Sequence, residues 1–483
     1  MEYSNKKNFI FYNIQNFYVG IIPILSIAIF SRIFSTSDFG IFALAMVFGN
    51  ICSSIINFGL HFAYESFYFR INNQDEKENL FNSLFYFNII LFLIFLIPIK
   101  YFQNDISYLI FNSSENAEFI LVSYIASNLS FLNSFFLFKT RNQKDGKKNS
   151  LIKISIVSIQ FIISIILVFY LEFKIEGLIY AMLFSNLIIL SCLIIFMINN
   201  KKIFDIKILK KALIFSYPLL PKLLVGVANT SYDKFIIKLL VSLGGLGIYD
   251  LSQRIAFQIN NFFSVLQSTF LPDFYKMANE SDVFEKKDLP LFITKYFFIS
   301  SLFCLIFSFF SYELISIITP KSFHDAINLI SILSLSYSLL FFGCVPILVH
   351  LKKTFLISKF SIFSFLFNLI IVISFINVFG LIGAVVGILI SNLITQVIYF
   401  IIVYRLFPLK WDLKKILSIY FLLFFCSFFI IMIREIQIYY FFRILIKIFF
   451  IIFFVYYGHY KKILDLQFYY NLGINKLSKF KAK

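Results

Sequence analysis

Charged residues are scarce in this chain: they make up 14% of its 483 residues, against 60% hydrophobic residues. A soluble domain of this length would need far more polar surface, so that class is excluded. Acidic residues are rarer than basic ones, 25 against 43, which gives a formal charge of +18. The basic residues fall in short loops between apolar runs, where they indicate membrane orientation and not nucleic-acid binding.

Cysteine is also sparse, and its pattern argues against two kinds of site. The five cysteines stand singly in apolar stretches, with no Cys-x-x-Cys pair. We therefore expect neither disulfides nor a metal centre. The four histidines are dispersed, and the sequence contains no glycine-rich phosphate loop. We expect no cofactor, no ATPase of its own and no catalytic dyad.

Long apolar runs, in contrast, recur from one end of the chain to the other. Each is about 20 residues long, which is enough to cross the hydrocarbon core of a bilayer. We count about fourteen spans, and Lys and Arg concentrate in alternate loops, so both termini are predicted to be cytoplasmic. The predicted spans are 12–32, 40–60, 80–101, 117–138, 151–172, 176–198, 212–231, 246–271, 290–311, 326–348, 355–377, 380–403, 415–433 and 437–458.

An internal repeat divides the chain. The segment Gly177–Ile188 (GLIYAMLFSNLI) is similar to Gly383–Ile394 (GAVVGILISNLI) at an offset of 206 residues. Phe39–Phe42 (FGIF) matches Leu246–Tyr249 (LGIY) at an offset of 207. The period covers six spans, an even number, so both copies enter the membrane from the same side. We therefore predict an all-α polytopic membrane protein built from two parallel six-helix lobes.

The predicted domain organisation follows from this repeat. Substrate sites in such folds lie at the interface between the repeats, which predicts a transporter with its pathway between the lobes. The segments are an N-terminal lobe at residues 1–200, a basic cytoplasmic connector at 201–211, a C-terminal lobe at 212–408, two extra spans at 409–460 and a basic cytoplasmic tail at 461–483.

Four candidate cavity residues lie in the stretch Tyr217–Ile259, at depths where charge is costly: Lys222, Asp233, Asp250 and Arg254. Charged groups within a span usually face a bundle interior or a water-filled cavity. Lys222, near the middle of span 7, is a candidate cavity cation, and the alternative is a lysine that extends towards the interface. Arg254 in span 8 is a second candidate cation. Its alternative is an ion pair with Asp250, one turn earlier on the same helix.

The same stretch also carries a candidate hinge. Pro218 and Pro221 lie within span 7, where proline removes a backbone hydrogen bond and kinks the helix. The bend is predicted to move during transport or to be static. Asp233, with Lys234 beside it, marks the outer end of span 7 and is a candidate cavity residue. The glycines of 244–247 are predicted to form the outer turn.

The first two spans provide the remaining candidates. Arg32 closes span 1 at the outer face and is a candidate gate or ligand residue; the alternative is a charged cap at the interface. Asn50, Asn57, His61 and Glu65 have spacings that place them near one face of span 2. There they would form a cavity wall or ordinary interhelical hydrogen bonds.

Several motifs together resemble those of a known family, the polysaccharide (Wzx-type) flippases. This family is part of the multidrug, oligosaccharidyl-lipid and polysaccharide exporter superfamily. The resemblance covers about 400 residues, and it rests on the order and spacing of short motifs. These are Ser31–Phe42 (SRIFSTSDFGIF), Phe58–Leu60 (FGL), Pro218–Pro221 (PLLP), Asp233–Ile237 (DKFII), Leu246–Tyr249 (LGIY) and Gly380–Ala384 (GLIGA).

The resemblance implies alternating access, a central cavity lined by spans 1, 2, 7 and 8, and a polyprenyl-diphosphate-linked oligosaccharide as substrate. The expected function is to flip a repeat unit of O-antigen lipopolysaccharide or capsule across the inner membrane. The bilayer and other glycan-assembly membrane proteins would be its partners. Coupling to the membrane potential, to protons or to sodium is open. Lys222 and Arg254 suit an anionic headgroup, because both side chains bind phosphate.

Other functions stay open at this stage. Within the same superfamily the substrate could be a lipid-linked peptidoglycan precursor or a small cationic drug. A drug exporter would favour acidic cavity groups, whereas the two cations above favour an anion. A membrane glycan polymerase or ligase is disfavoured, because such enzymes commonly carry their active site on a large outer loop, and this chain has none.

Overall fold

The computed structural model describes residues 2–197, 204–280, 288–340, 344–351, 353–407, 409, 411–435 and 439–463. In this part of the chain it contains eighteen α-helices. Their bounds are α1 Glu2–Phe30, α2 Thr36–Ile56, α3 Leu60–Tyr68, α4 Gln74–Tyr101, α5 Gln103–Phe111, α6 Ala117–Asn142, α7 Gly146–Ile165, α8 Glu176–Met197, α9 Ile206–Ser216, α10 Leu220–Asn229, α11 Tyr232–Leu240, α12 Leu243–Glu280, α13 Asp288–Ile318, α14 Ala326–Leu340, α15 Cys344–His350, α16 Thr354–Leu406, α17 Leu413–Glu435 and α18 Tyr440–Tyr460.

These helices confirm the predicted fold class, an all-α polytopic membrane protein. Ten helices in the described ranges are long and apolar enough to cross a bilayer, and a bent pair, Ile206–Leu219 with Leu223–Leu240, would be an eleventh. Predicted spans 8 and 10 begin in α12 and α14, and predicted spans 11 and 12 both lie in α16. α16 contains two helices, because Gly380 divides it with a φ of 58° and a ψ of −136°.

The helices form two compact units. Unit 1 comprises Met1–Leu251 and Ile318–Phe323, and unit 2 comprises Ser252–Ile317 and His324–Lys483. In unit 1, α2 packs on α6, α6 on α8, and α1 on α7. The lobe boundaries that the repeat predicts do not coincide with these contact units, and they stay a prediction.

In unit 2, aromatic stacking and a buried ion pair connect α13 to α18. Phe298 of α13 stacks on Phe454 of α18, with 4.8 Å between ring centroids. Lys447 of α18, only 3% exposed, donates to both carboxylate oxygens of Glu313 of α13 at 2.6 Å. The two opposite charges neutralise each other. α18, the second of the two extra spans, therefore contacts α13 through an ion pair as well as through apolar packing.

Two glycines of the repeated motif allow α2 and α12 to cross with their backbones in contact. A Cβ atom added to Gly40 would collide with the carbonyl oxygen of Leu243, and one added to Gly247 would collide with that of Thr36. The contact is reciprocal, because each carbonyl belongs to the residue four positions before the opposite glycine. The glycines of 244–247 are helical, in the first turn and a half of α12, so the predicted outer turn is wrong there.

Candidate functional site

A polar cavity of about 430 Å³ lies within unit 1, between α2, α6 and the α10–α11 segment. Nine of its twelve lining residues have polar side chains, in a chain that is otherwise strongly apolar. We call it the polar cavity. Its lining residues are Val47, Asn50, Ser53 and Ser54 from α2, Ser127, Ser130, Phe131 and Ser134 from α6, and Val227, Thr230, Ser231 and Lys234 from the α10–α11 segment.

Helical spacing explains how each element presents a polar face. The lining residues recur at intervals of three or four along each element, which places them on one side of a helix. Gly49 brings two of these faces together, because a Cβ there would collide with the Ser123 carbonyl and the Ser127 hydroxyl of α6. The absence of a side chain at Gly49 therefore allows α2 to lie directly on α6 beside the cavity.

Four of the seven hydroxyl groups that line the cavity fall into two kinds. Ser53, Ser134 and Thr230 donate their hydroxyl protons to carbonyls of their own helices, the oxygens of Asn50, Ser130 and Val227, at 3.0–3.1 Å. Ser127, only 2% exposed, has a hydroxyl with no hydrogen-bond partner within the described residues. Three hydroxyls of the cavity therefore already donate a hydrogen bond, and the buried Ser127 hydroxyl has no partner within the described residues.

Span 7 bends where the prolines predict, but it ends differently from the prediction. α9 is followed by a short 3₁₀ turn at Tyr217–Leu219, and the two halves of the pair, Ile206–Leu219 and Leu223–Leu240, meet at 51°. The kink predicted at Pro218 and Pro221 is present, whereas its movement as a hinge stays a prediction. The span was predicted to end at residue 231, but a second break leads there into α11.

α11 makes two polar contacts with α12 that the sequence did not predict. Lys234 donates from Nζ to Oδ1 of Asp250 on α12 at 2.5 Å, and Asp250 is fully buried. The Tyr249 hydroxyl donates to Oδ2 of Asp233, which is itself 4% exposed. We call these four residues the α11–α12 clasp. It joins two neighbouring residues of α11 to two neighbouring residues of α12, and Lys234 also lines the polar cavity.

The predicted cations occupy different places. The backbone of Lys222 lies in α10, and its side chain is outside the described residues. Arg254 lies in α12 within unit 2, where Gln258 donates to its carbonyl at 3.1 Å. Arg32 is exposed in the turn after α1, and its Nε donates to the Ala28 carbonyl at 3.2 Å. Their roles in substrate binding stay predictions.

The four residues predicted on one face of span 2 do not share a helix. α2 ends before Phe58 and Gly59, which have φ values of 54° and 69°, and α3 then begins. Asn50 lines the polar cavity from α2, as predicted for a cavity wall. Asn57 is the C-cap of the same helix, α2. The one-face prediction is wrong for His61 and Glu65, because the two residues in the left-handed region before them reorient the chain.

Contacts of Asn57, His61 and Glu65 join α3 to the ends of α2 and α6. The amide nitrogen of Asn57 lies 2.6 Å from Nδ1 of His61, and Glu65 forms an ion pair with Arg141 at the end of α6. The His61 ring and the Arg141 guanidinium both contact the ring of Phe138. Any direct role of these residues towards substrate stays a prediction.

The charge of His61 can be assigned from its surroundings. Burial, and secondarily the nearby Arg141 charge, lower the pKa of His61 from 6.5 to about 4. The imidazole is therefore neutral at pH 7, and it cannot act there as a cation for an anionic substrate.

A pH-dependent loss of stability follows from that shift. Because the folded-state pKa of His61 is below its unfolded value, the unfolded state gains protons first, and stability falls as the pH drops from 6.5 towards 4. His61→Gln should show a smaller fall in melting temperature between pH 7 and pH 4.5 than the wild type does. The same substitution at the exposed His459 is the control, and an unchanged pH profile in His61→Gln would contradict the assignment.

The described cysteines and possible metal ligands are dispersed. Cys52, Cys192, Cys304 and Cys426 are free thiols. Within the ranges that the structure describes, no three His, Cys, Asp or Glu side chains are grouped so that they could hold a metal ion.

The fold is that of known membrane exporters. The Lipid II flippase MurJ, in its inward closed conformation, matches with a TM-score of 0.73 at 18% identity, covering 94% of this chain and 100% of that chain. An inward-facing multidrug resistance MATE family transporter of the MOP superfamily matches with a TM-score of 0.64 at 15% identity, covering 81% of this chain and 94% of that chain. These likenesses define the class of protein, a polytopic helical protein with the exporter fold.

The sequence comparison then identifies the family. Residues 29–328 match the family described as Polysaccharide biosynthesis protein. The chain belongs to this family, as the motif resemblance predicted, and the matched segment contains the whole polar cavity and the α11–α12 clasp. No curated protein matches the chain. The fold agrees with the one that the motif resemblance implied.

Proposed function

We propose that the protein flips a polyprenyl-diphosphate-linked oligosaccharide repeat unit from the cytoplasmic to the outer leaflet, by alternating access, for O-antigen or capsule synthesis. The observation that carries this proposal is the family match over residues 29–328, the same segment that forms the polar cavity. The proposed location is the inner membrane, with both termini cytoplasmic and with other glycan-assembly proteins as neighbours.

The physical demand of this reaction suits the polar cavity. A sugar headgroup cannot enter hydrocarbon without losing its hydrogen bonds to water, and each bond left unmade costs free energy. The hydroxyl, amide and ammonium groups of the cavity can replace that water. An inside-negative membrane potential would favour outward movement of an anionic lipid by about 2.3 kcal/mol per charge per 100 mV. Protons or sodium are further coupling ions under this proposal.

Two alternatives within the superfamily have an observation in their favour. The match to the Lipid II flippase MurJ covers nearly the whole chain and supports a lipid-linked peptidoglycan precursor as the substrate. The match to a multidrug resistance MATE family transporter supports a drug as the substrate. We favour the polysaccharide substrate, because the family match is to the sequence itself and not to the fold alone.

The proposal predicts the result of a deletion and rescue experiment. Deleting the gene in its host should remove a surface polysaccharide, while its lipid-linked repeat unit accumulates in the inner leaflet. The wild-type gene should restore the polysaccharide, and Lys222→Ala and Arg254→Ala should not, at equal protein levels. Lys238→Ala is the matched control, because the Lys238 ammonium is already bonded to Asn112 at 2.7 Å and lies outside the cavity lining.

The possible outcomes of this experiment distinguish the proposed substrate and its binding residues from the alternatives. Rescue by both variants would keep the flippase and remove the two cations from its site. Normal polysaccharide with accumulation of a peptidoglycan precursor would favour the second substrate. Normal polysaccharide with raised drug sensitivity would favour a drug exporter and overturn the proposal.

A further inference from the structure

We infer that the polar cavity of unit 1 is a subsite for an uncharged sugar of the substrate, which it holds in preference to the ionised diphosphate. The inference rests on the proposed flippase function and states which part of the lipid-linked oligosaccharide enters this cavity. Its volume of about 430 Å³ is in the range of small-molecule binding sites. The argument depends on hydrogen-bond polarity and on charge.

Three lining hydroxyls are placed to accept a hydrogen bond from a ligand. A hydroxyl group has one proton to donate and two lone pairs that accept. Ser53, Ser134 and Thr230 already donate that proton to helix carbonyls. Their free capacity therefore consists of lone pairs. An ionised phosphate or carboxylate has no proton to give them, whereas a sugar hydroxyl has one.

The buried hydroxyl of Ser127 points to a ligand as well. It is 2% exposed, it lines the cavity, and it has no hydrogen-bond partner in the described part of the chain. A buried polar group left unsatisfied is destabilising, so a bound group that completes its hydrogen bond is favoured. A sugar hydroxyl both donates and accepts, and it can therefore serve Ser127 and the acceptor hydroxyls alike. Phe131 adds an apolar face to the same cavity, on which the C–H side of a sugar ring can pack.

The single charge in the lining is already neutralised. Lys234 is the one charged residue of the twelve that line the cavity, and its Nζ lies 2.5 Å from Oδ1 of Asp250. An anion at Lys234 would have to compete with a carboxylate that is fully buried. Drawing an ion-pair partner away from a buried carboxylate is unfavourable. The cavity therefore accommodates a neutral group more readily than an anionic one.

Equilibrium binding to the purified full-length protein in nanodiscs tests the inference. The probes are a radiolabelled polyprenyl diphosphate that carries a neutral N-acetylhexosamine, one that carries a hexuronic acid, and one without a sugar. We expect the neutral sugar lipid to bind at least about five-fold more tightly than the other two, the equivalent of one hydrogen bond. Ser127→Ala and Thr230→Val should each lower the affinity for the neutral sugar lipid about five-fold. Neither variant should change the affinity for the sugar-free lipid.

The control variant is Ser164→Ala, a buried serine of α7 whose hydroxyl donates to the Phe161 carbonyl away from the cavity. An unchanged melting temperature in all three variants shows that folding is intact. Equal affinity for the sugar-free or the uronic acid lipid, or an equal loss for all probes in the cavity variants, would overturn the subsite. Failure of all three probes to bind the wild-type protein would overturn the flippase function and the subsite with it.

Discussion

Gly247→Ala should destabilise the protein by about 1–3 kcal/mol and abolish polysaccharide export, although alanine is the better helix former. The added Cβ would collide with the Thr36 carbonyl and crowd the Gly40 nitrogen, and both are backbone atoms that no rotamer change can move. α12 must then separate from α2. Tyr249 and Asp250 follow two and three residues later, so the α11–α12 clasp and the cavity residue Lys234 would be displaced together.

Gly226→Ala is the matched control for this substitution. Gly226 is also helical, in α10, but a Cβ there would meet no described atom within 4 Å. Its replacement should stabilise the protein by about 0.5–1 kcal/mol, because alanine restricts the unfolded chain. Melting temperatures of the purified variants and the surface-polysaccharide assay measure both effects. Equal melting temperatures for the two variants would contradict the close contact.

The reciprocal geometry adds a stricter test. Gly40→Ala should resemble Gly247→Ala, since its Cβ would collide with the Leu243 carbonyl. Either change alone already separates the two helices. The double variant should therefore be clearly less destabilised than the sum of the single effects, as expected for residues that share one contact.

Lys234→Ala should cost up to about 3–5 kcal/mol of stability and stop the proposed export, because it removes an ion-pair partner of a fully buried carboxylate. Asp250→Asn should cost less, since the ammonium that it leaves lies at a polar cavity where water can solvate it. Combining Lys234→Met with Asp250→Asn should recover part of the loss of Lys234→Ala, because neither charge then remains in the interior.

Lys238→Ala one turn later in α11 provides the comparison. The Lys238 ammonium bonds to an amide oxygen in an exposed position, so its removal should cost less than about 1 kcal/mol. Thermal unfolding in detergent measures the stability of each variant. If Lys234→Ala and Lys238→Ala unfold at the same temperature, the buried pair contributes nothing and the α11–α12 clasp has no structural role.

Features encoded in single residues were the ones that the sequence predicted well. The family followed from the order of short motifs, and the two spans within α16 were separated at Gly380, where the backbone leaves the helical region. The kink at Pro218 and Pro221 followed from the missing backbone donors of proline. For the break and the kink, a glycine or a proline with unusual backbone chemistry marks the position.

Features that depend on packing were missed. Lys234 was assigned to an outer loop, because the break before α11 falls at Thr230 and Ser231, which carry no strong turn signal. The α6 wall of the cavity was missed as well. Its serines, Ser127, Ser130 and Ser134, occur at helical spacing, but serine in a membrane helix is ordinary interhelical glue. Only the cavity beside them distinguishes these residues.

The contact between Gly40 and Gly247 also has a consequence for the origin of the chain. An offset of 207 residues relates Gly40 to Gly247, and the same offset relates Thr36 to Leu243. In a two-fold symmetric dimer, residue i of one copy meets residue j of the other while j meets i. The glycines and carbonyls of this contact obey that rule within one polypeptide. A half-length ancestor with this helix end could have paired with a second copy of itself through the same two backbones. Gene duplication and fusion would then have preserved an old dimer interface inside a single chain.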